Sequence, residues 1–155
     1  MRPRSNIHSA NGDRSLCPAL PNSNASIICL LDDDPSVLKA LSRLIKSAGW
    51  RAEQFSNPEK FLGYAKTHRT PVAVIDIWMP VMNGLEVQSR LRELSPSTRV
   101  IIFTGKDDPL LRSTALTAGA TAFFVKPFDE EEFLTAIRFA LSGTLPLHNV
   151  NERAR

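Results

Sequence analysis

The 155-residue sequence has few cysteines and no long hydrophobic run. Its two cysteines, Cys17 and Cys29, are too few for a disulfide framework or a cysteine-rich metal cluster, and Cys29 lies in an apolar run where a small core residue is expected. No stretch of 18 apolar residues is present, and the polar leader has no apolar segment long enough for a signal peptide. We therefore expect a cytoplasmic protein without a membrane partner.

An excess of charge of one sign is also missing from the central part of the sequence. The formal net charge is +3, of which residues 1–26 contribute +2 and residues 143–155 contribute +1, so residues 27–142 are neutral. A neutral core offers no basic face for phosphates, and we predict no nucleic-acid binding through it. We divide the chain into a polar leader predicted to be disordered (1–25), one domain (26–142) and a short tail (143–155).

Apolar periodicity alternates between strand and helix within this domain. Short apolar runs at 26–31, 71–76, 99–105 and 121–127, and a weaker one at 51–55, are typical of strands in a buried parallel sheet. The intervening segments follow the helical period, and three of the five predicted helices have a proline in the first turn: Pro35, Pro58 and Pro109. Five strand-helix pairs with short loops predict an α/β fold, with a five-stranded parallel sheet doubly wound by helices on both faces.

Reactive side chains lie where these strands end. Three consecutive aspartates (32–34) follow the first strand, Asp76 ends the third, Thr104 lies in the fourth and Lys126 in the fifth. Open parallel sheets bind ligands at the carboxyl ends of their strands, where the strand order reverses. A lone aspartate there is usually a helix cap. Acids from two strands, a hydroxyl and an amine at one edge instead predict a functional cluster.

These residue types suit phosphoryl transfer to a carboxylate. A carboxylate and an anionic phosphoryl donor repel each other, so the site needs cationic charge. Crowded carboxylates can hold Mg²⁺, which prefers oxygen ligands and keeps positions for water and a phosphoryl oxygen. A lysine can add charge, and a threonine hydroxyl can donate a hydrogen bond. Because an aspartate of ordinary pKa is ionised at neutral pH, we expect that no general base is needed.

Four motifs give the sequence a family resemblance: LLDDDPSV (30–37), VAVIDIWMPVMNGLEV (72–87), IIFTG (101–105) and AFFVKPF (122–128). Through them, residues 26–142 resemble the CheY-like receiver domain of bacterial two-component response regulators. Among these domains, the chain most resembles the receivers of FixJ- and NarL-type regulators, which precede a DNA-binding helix-turn-helix. The resemblance implies a flavodoxin-like strand order, 2-1-3-4-5.

The resemblance also implies a role for each residue of the cluster. Asp76 would be the phosphoacceptor. The protein ligands of Mg²⁺ would be Asp32, Asp33, Asp76 and the backbone carbonyl of Trp78. Thr104 and Lys126 would contact the phosphoryl group, and Phe123 would be the switch aromatic that responds to Thr104. The family fills the position of Pro127 with a cis proline, and the side chains of Trp78 and Lys106 would flank the path of water to the phosphoryl group.

The implied function is a phosphoacceptor switch, not an enzyme with a separate substrate. None of the chain's own histidines is placed to be the phosphodonor, since His8, His68 and His148 lie in the tails or at a helix end. The resemblance implies that the donor is a phosphohistidine on a sensor histidine kinase or a phosphotransfer protein. No output domain follows in this sequence, so we expect the signal to reach a downstream protein through the face built from the fourth helix, fifth strand and fifth helix. We also consider a phosphorylation-dependent dimer.

Three alternatives stay open. Asp32, Asp34 and Ser36 read D-x-D-x-S, close to the signature of haloacid-dehalogenase-like phosphatases, in which Asp32 would be the nucleophile. Such enzymes need a further acidic motif beyond the lysine and a cap region, whereas the acids at 129–132 are predicted to cap the last helix, with Asp129 and Glu132 as a capping box. The second alternative is the receiver half of a truncated DNA-binding regulator. The third is a docking module that never turns over phosphate.

Overall fold

The computed structural model describes residues 25–142, so the predictions for the leader, the tail, His8, Cys17 and His148 lie outside the described residues. Strands and helices alternate along the described part: β1 (Ile27–Leu31), α1 (Pro35–Ser47), β2 (Arg51–Phe55), α2 (Pro58–Thr67), β3 (Val72–Asp76), α3 (Gly84–Leu94), β4 (Arg99–Thr104), α4 (Pro109–Thr117), β5 (Ala122–Val125) and α5 (Glu130–Ser142). Among these helices none is long and apolar enough to cross a membrane.

The five strands form one parallel sheet in the order β2-β1-β3-β4-β5. This confirms both the predicted fold class and the strand order that the resemblance implies. The order reverses between β1 and β3, so the loops after these two strands diverge and leave a crevice at the carboxyl edge of the sheet. Every residue of β3 is buried, which explains its continuous apolar run.

Alternating strand residues pack against two helical layers, one on each face of the sheet. Phe61 of α2, Leu91 of α3 and Ala115 of α4 belong to one core cluster, which also contains Cys29. The other cluster joins residues of α1 and α5, such as Ile45 and Phe133. Cys29 is fully buried, as predicted for a core residue, and burial raises the pKa of its thiol to about 12.

The helices begin where the sequence signals predict. Pro35, Pro58 and Pro109 lie in the first turns of α1, α2 and α4, each after a polar capping residue whose side chain accepts a backbone N–H. Asp129 accepts a hydrogen bond from the Glu132 N–H at 2.9 Å and so caps α5, but the return bond of the predicted capping box, from the Asp129 N–H to the Glu132 side chain, is not among the hydrogen bonds within residues 25–142. A reciprocal capping box, with both bonds present, occurs at α3 between Asn83 and Glu86.

Candidate functional site

Three carboxylates converge in the crevice between β1 and β3. Asp32, Asp33 and Asp76 each offer an oxygen within 4.8 Å of the others. Asp32 and Asp76 are 1% and 4% exposed, whereas Asp33 is exposed. The carboxyl ends of two neighbouring strands therefore bring together the acids that the sequence predicts for one site.

The three consecutive aspartates have different roles: Asp32 and Asp33 belong to the carboxylate cluster, and Asp34 caps α1. The Asp32 N–H donates to the Phe55 carbonyl of β2 at 3.1 Å, and the Asp32 side chain accepts the Asp34 N–H at 2.9 Å. Asp34 in turn accepts the Ser36 N–H at 2.9 Å as the N-cap of α1. Asp34 is thus engaged with the helix, and Asp32 and Asp33 are left to face Asp76.

The segment after Asp76 folds back tightly against it. The Ile77 N–H donates to the Phe103 carbonyl of β4 at 3.2 Å, and the Gly84 N–H donates to the Ile77 carbonyl at 2.8 Å. A Cβ added to Gly84 would overlap the carbonyl oxygen of Asp76 and would lie 2.9 Å from the Ile77 Cα. Only a glycine at this position lets α3 begin directly behind Asp76.

Lys126 reaches the cluster from the end of β5. Its Nζ lies 3.4 Å from Asp32 Oδ2 and 3.7 Å from Asp76 Oδ1, and 4.6 Å from the centroid of the Phe103 ring. The Lys126 N–H donates to the Thr104 carbonyl at 2.7 Å, and the Lys126–Pro127 peptide bond is cis, as the resemblance implies. The lysine is thus fixed by its backbone and faces both buried acids.

Thr104 and the glycine after it form the wall on the β4 side. Thr104 is fully buried, and its Oγ1 accepts the Lys106 N–H at 3.2 Å. A Cβ added to Gly105 would meet no heavy atom within 4 Å, so open space lies beside the threonine. Trp78, two residues after Asp76, is 52% exposed. The structure does not test whether its indole shields the site, and that role stays a prediction.

Burial and crowding change the acid strength of both inner carboxyls. The pKa of Asp76 is raised to about 7, chiefly by loss of hydration and then by the charge of Asp32, while Lys126 partly opposes them. The pKa of Asp32 is also raised, mainly by burial. When no cation is bound, Asp76 is therefore not fully ionised at neutral pH, contrary to the expectation from an ordinary aspartate pKa. A cation bound among these oxygens would favour the ionised form.

The donor set fits a small hard cation. Two buried carboxyls that repel each other and a third exposed one supply oxygen atoms only, which are the ligands that Mg²⁺ prefers. The exposed Asp33 leaves one side open to solvent, as an ion that keeps several waters requires. The Asp32, Asp33 and Asp76 side chains would hold the ion.

The sequence does not indicate the contact that covers Phe123. Phe123 is fully buried, and the guanidinium carbon of Arg112, on α4, lies 4.9 Å from its ring centroid. Arg112 Nη2 also lies 3.5 Å from Asp107 Oδ1, in the loop that follows Thr104. No local pattern pairs these residues, because the contacts join a strand, a helix and a loop. Arg112 therefore links the predicted switch aromatic to the loop beside the site.

Comparisons with known proteins agree with this geometry. The response regulator receiver domain model matches residues 28–138. The chain is 43% identical over 120 residues to the response regulator protein TodT of Pseudomonas putida, an alignment that covers 77% of this chain and 53% of TodT. The chain thus spans about half the length of the curated relatives it matches.

Two solved structures show the same fold. A CheY-like receiver domain protein from Methanospirillum hungatei JF-1 has a TM-score of 0.73 at 25% identity, covering 77% of this chain and 96% of that one. The beryllofluoride-activated receiver domain dimer of NtrC4 has a TM-score of 0.72 at 29% identity, covering 76% and 97%.

Proposed function

The chain belongs to the response regulator receiver family, and from this premise we propose that Asp76 accepts a phosphoryl group from a phosphohistidine on a partner protein. The observation that carries the proposal is the surroundings of Asp76. The carboxylate of Asp76 lies in a crevice with oxygens of two further acids within 4.8 Å and the Lys126 ammonium at 3.7 Å. Receiver domains of response regulators are phosphorylated by histidine kinases, which supplies the class of donor.

The transfer forms one bond and breaks one. An Oδ atom of Asp76 attacks the phosphorus, the bond between phosphorus and the donor imidazole nitrogen breaks, and the nitrogen keeps the electron pair and takes up a proton. The product is an acyl phosphate on Asp76. The Lys126 ammonium offsets charge on the phosphoryl oxygens, and the Thr104 hydroxyl donates a hydrogen bond to one of them.

Asp32, Asp33, Asp76 and the Trp78 carbonyl would hold Mg²⁺. The bound ion supplies positive charge that offsets the repulsion between the carboxylate and the phosphoryl oxygens. The residues themselves prepare the site. Asp32 is oriented by the Asp34 N–H, while Lys126 is oriented by its backbone bond to Thr104. Burial keeps bulk water away from Asp76.

A mass spectrum of the protein after incubation with Mg²⁺ and acetyl phosphate tests the proposal. We expect one added phosphoryl group, carried by the peptide that contains Asp76 and absent in Asp76→Asn. Asp34→Ser is the matched control, because it removes a neighbouring carboxylate while serine can still cap α1. A label on Asp32 would establish the phosphatase alternative, and an unlabelled parent would overturn phosphoacceptance.

Phosphorylation would change the surface formed by α4, β5 and α5, and a partner would bind there. Thr104 would move toward the phosphoryl group, and Phe123 would turn into the space that it leaves. The contact between Arg112 and Phe123 supports this route, because any rotation of the ring disturbs a helix of that surface. The downstream partner is a separate protein or a second receiver, and the NtrC4 receiver dimer supports the latter as a precedent.

Several coarser expectations belong to the same proposal. The protein would catalyse only its own phosphorylation and dephosphorylation, act in the cytoplasm and use residues 26–142 as its functional domain. The FixJ- and NarL-like character of the sequence favours a role in transcriptional regulation. The relatives include a probable transcriptional regulatory protein, TcrX of Mycobacterium tuberculosis, at 31% identity.

A further inference from the structure

Charge is segregated between the two edges of the sheet, although residues 27–142 are neutral as a whole. The loops and helix ends at the amino edge of the strands, residues 45–51, 65–72 and 92–99, carry six cations and one carboxylate, Glu93. We call the six cations the amino-edge cluster: Lys46, Arg51, Lys66, Arg69, Arg92 and Arg99. The opposite edge holds the acids around Asp76. The prediction of no nucleic-acid binding, which rests on net charge, therefore no longer follows.

Every member of the amino-edge cluster is exposed. The ion pairs formed within residues 25–142 involve none of them. Three members, Lys46, Lys66 and Arg92, lie in the last turns of helices, where the helix dipole favours a cation. Arg51, Arg69 and Arg99 lie outside the helices, so the dipole does not explain them.

These three arginines lie at the amino ends of three strands. Arg51 and Arg99 begin β2 and β4, and Arg69 lies just before β3. Since β1 and β3 lie between β2 and β4, the backbones of Arg51 and Arg99 are about 14 Å apart across three strand spacings. The alternation along the strands places their side chains on opposite faces of the sheet at this edge. Arg51 and Arg69 also flank a cleft of about 280 Å³. Exposed guanidinium groups without an ion pair among the described residues are suited to binding phosphate oxygens.

The sequence outside the described part is also net positive. Ala25 and Leu141, which adjoin the leader and the tail, both line the same cleft. The leader and tail contain five arginines against Asp13 and Glu152: Arg2, Arg4, Arg14, Arg153 and Arg155.

From these observations we propose that the amino edge binds the phosphate backbone of duplex DNA, independently of sequence. A single strand would need exposed aromatic rings for stacking, and Trp50, the aromatic residue adjoining Arg51, is partly buried with Arg138 5.9 Å from its ring. A membrane would need apolar anchors, and Leu94, 38% exposed, is the only large apolar residue exposed at this edge within the described part. The interaction goes beyond phosphoacceptance and uses the opposite end of the domain.

The test is fluorescence anisotropy of a labelled duplex of random sequence, titrated with the full chain at several salt concentrations without Mg²⁺ or a phosphodonor. We expect a Kd of about 10⁻⁵ M near physiological salt, with a log–log salt slope of about −0.9 for each phosphate neutralised. The triple variant Arg51→Ser, Arg69→Ser, Arg99→Ser should bind at least tenfold more weakly and lose roughly 2.7 from the slope.

The matched control removes three exposed cations from elsewhere: Lys39→Ser, Arg43→Ser and Lys60→Ser. It should keep most of the affinity, and both triple variants should still be labelled on Asp76 by acetyl phosphate with Mg²⁺, which shows that they fold. No binding by the parent at 100 µM chain, or an equal loss in both triple variants, would overturn the proposal. Unchanged binding by the edge variant would also overturn it, because the contact would then not involve these three arginines. Tighter binding to polyglutamate or phosphatidylserine vesicles would replace DNA with an acidic protein or a membrane.

Discussion

The role proposed for Asp76 places two opposing requirements on this residue. An acyl phosphate is sheltered from water by burial, and Asp76 is only 4% exposed, but a buried carboxyl is harder to ionise and attacks only when ionised. Its pKa of about 7 reflects this conflict, with Asp32 adding to the repulsion. Reactivity at neutral pH therefore depends on the positive charge that Lys126 and a bound cation bring to the carboxylate.

The raised pKa of Asp76 predicts how stability changes with pH when EDTA removes divalent cations. The folded state holds the Asp76 proton up to about pH 7, whereas an unperturbed aspartate has a pKa of 3.8, so the folded state binds more protons between these two pH values. The contribution that protonation of Asp76 makes to the free energy of unfolding is fully present below pH 3.8 and is lost as pH rises through about 7.

The variant Asp76→Asn should therefore gain stability over the parent across this range, by up to about 4 kcal/mol above pH 7. Urea denaturation at a series of pH values measures the difference. Glu93→Gln is the control, because Glu93 is exposed at the opposite edge and its replacement should have little effect at any pH. A difference between Asp76→Asn and the parent that does not grow with pH would show that burial does not raise the Asp76 pKa.

At the scale of elements, two glycines in helices are expected to respond in opposite ways to alanine. A Cβ at Gly84 would overlap the Asp76 backbone, so Gly84→Ala must displace the start of α3 or the end of β3. A Cβ at Gly63, inside α2, would meet no heavy atom within 4 Å, and alanine is the better helix former.

We expect Gly84→Ala to destabilise the protein by roughly 1–3 kcal/mol and to slow labelling of Asp76 by acetyl phosphate. Gly63→Ala should stabilise it by about 0.5–1 kcal/mol without changing the labelling rate. Thermal denaturation and labelling kinetics measure both variants. Equal stability of Gly84→Ala and the parent would mean that the turn behind Asp76 is looser than its contacts indicate.

The contact between α4 and β5 offers a second test at this scale. Arg112 covers the Phe123 ring, so the ring can turn only if the helix or the arginine moves. Arg112→Met keeps much of the bulk and removes the cation–π attraction, which is worth about 0.5–1 kcal/mol. The variant should bind beryllofluoride about 2–5 times more tightly, because its inactive arrangement has lost one stabilising contact.

Fluorine NMR of the protein with labelled phenylalanine measures both the affinity and the response of Phe123. The exposed Arg92→Met is the control, since the ion pairs and cation–π contacts found within residues 25–142 do not involve Arg92. A Phe123 signal that beryllofluoride leaves unchanged would contradict the switch itself. A responsive signal with unaltered affinity in Arg112→Met would contradict only the part assigned to Arg112.

At the scale of the whole molecule, the sequence predicts features that follow from local periodicity and from the geometry of parallel sheets. Strands and helices alternate as their apolar periods indicate, and residues that end parallel strands necessarily meet at one edge, which brings Asp76 to Asp32. Features that depend on burial or on contacts between distant elements were not predictable in this way. The pKa of Asp76 depends on how deeply it is buried, and the contact of Arg112 with Phe123 depends on side-chain conformation. The amino-edge cluster becomes visible only when charges are assigned to edges, because a net charge of zero conceals them.

If the carboxylate cluster holds Mg²⁺ as proposed, the stability of the whole domain should depend on Mg²⁺ and on pH together. An ion that binds only the folded state at ten times its Kd stabilises that state by about 1.4 kcal/mol, which should raise the Tm by several degrees. Protons compete for the same oxygens, and burial raises the pKa of Asp76 to about 7, so the rise should be clear at pH 8 and nearly absent at pH 5. Calorimetry with Mg²⁺ and with EDTA measures the effect. Asp33→Ala should abolish the rise, because it removes the exposed ligand, whereas Asp34→Ser should keep it, because Asp34 caps α1. An equal rise at both pH values, or in Asp33→Ala, would mean that Mg²⁺ binds elsewhere on the protein.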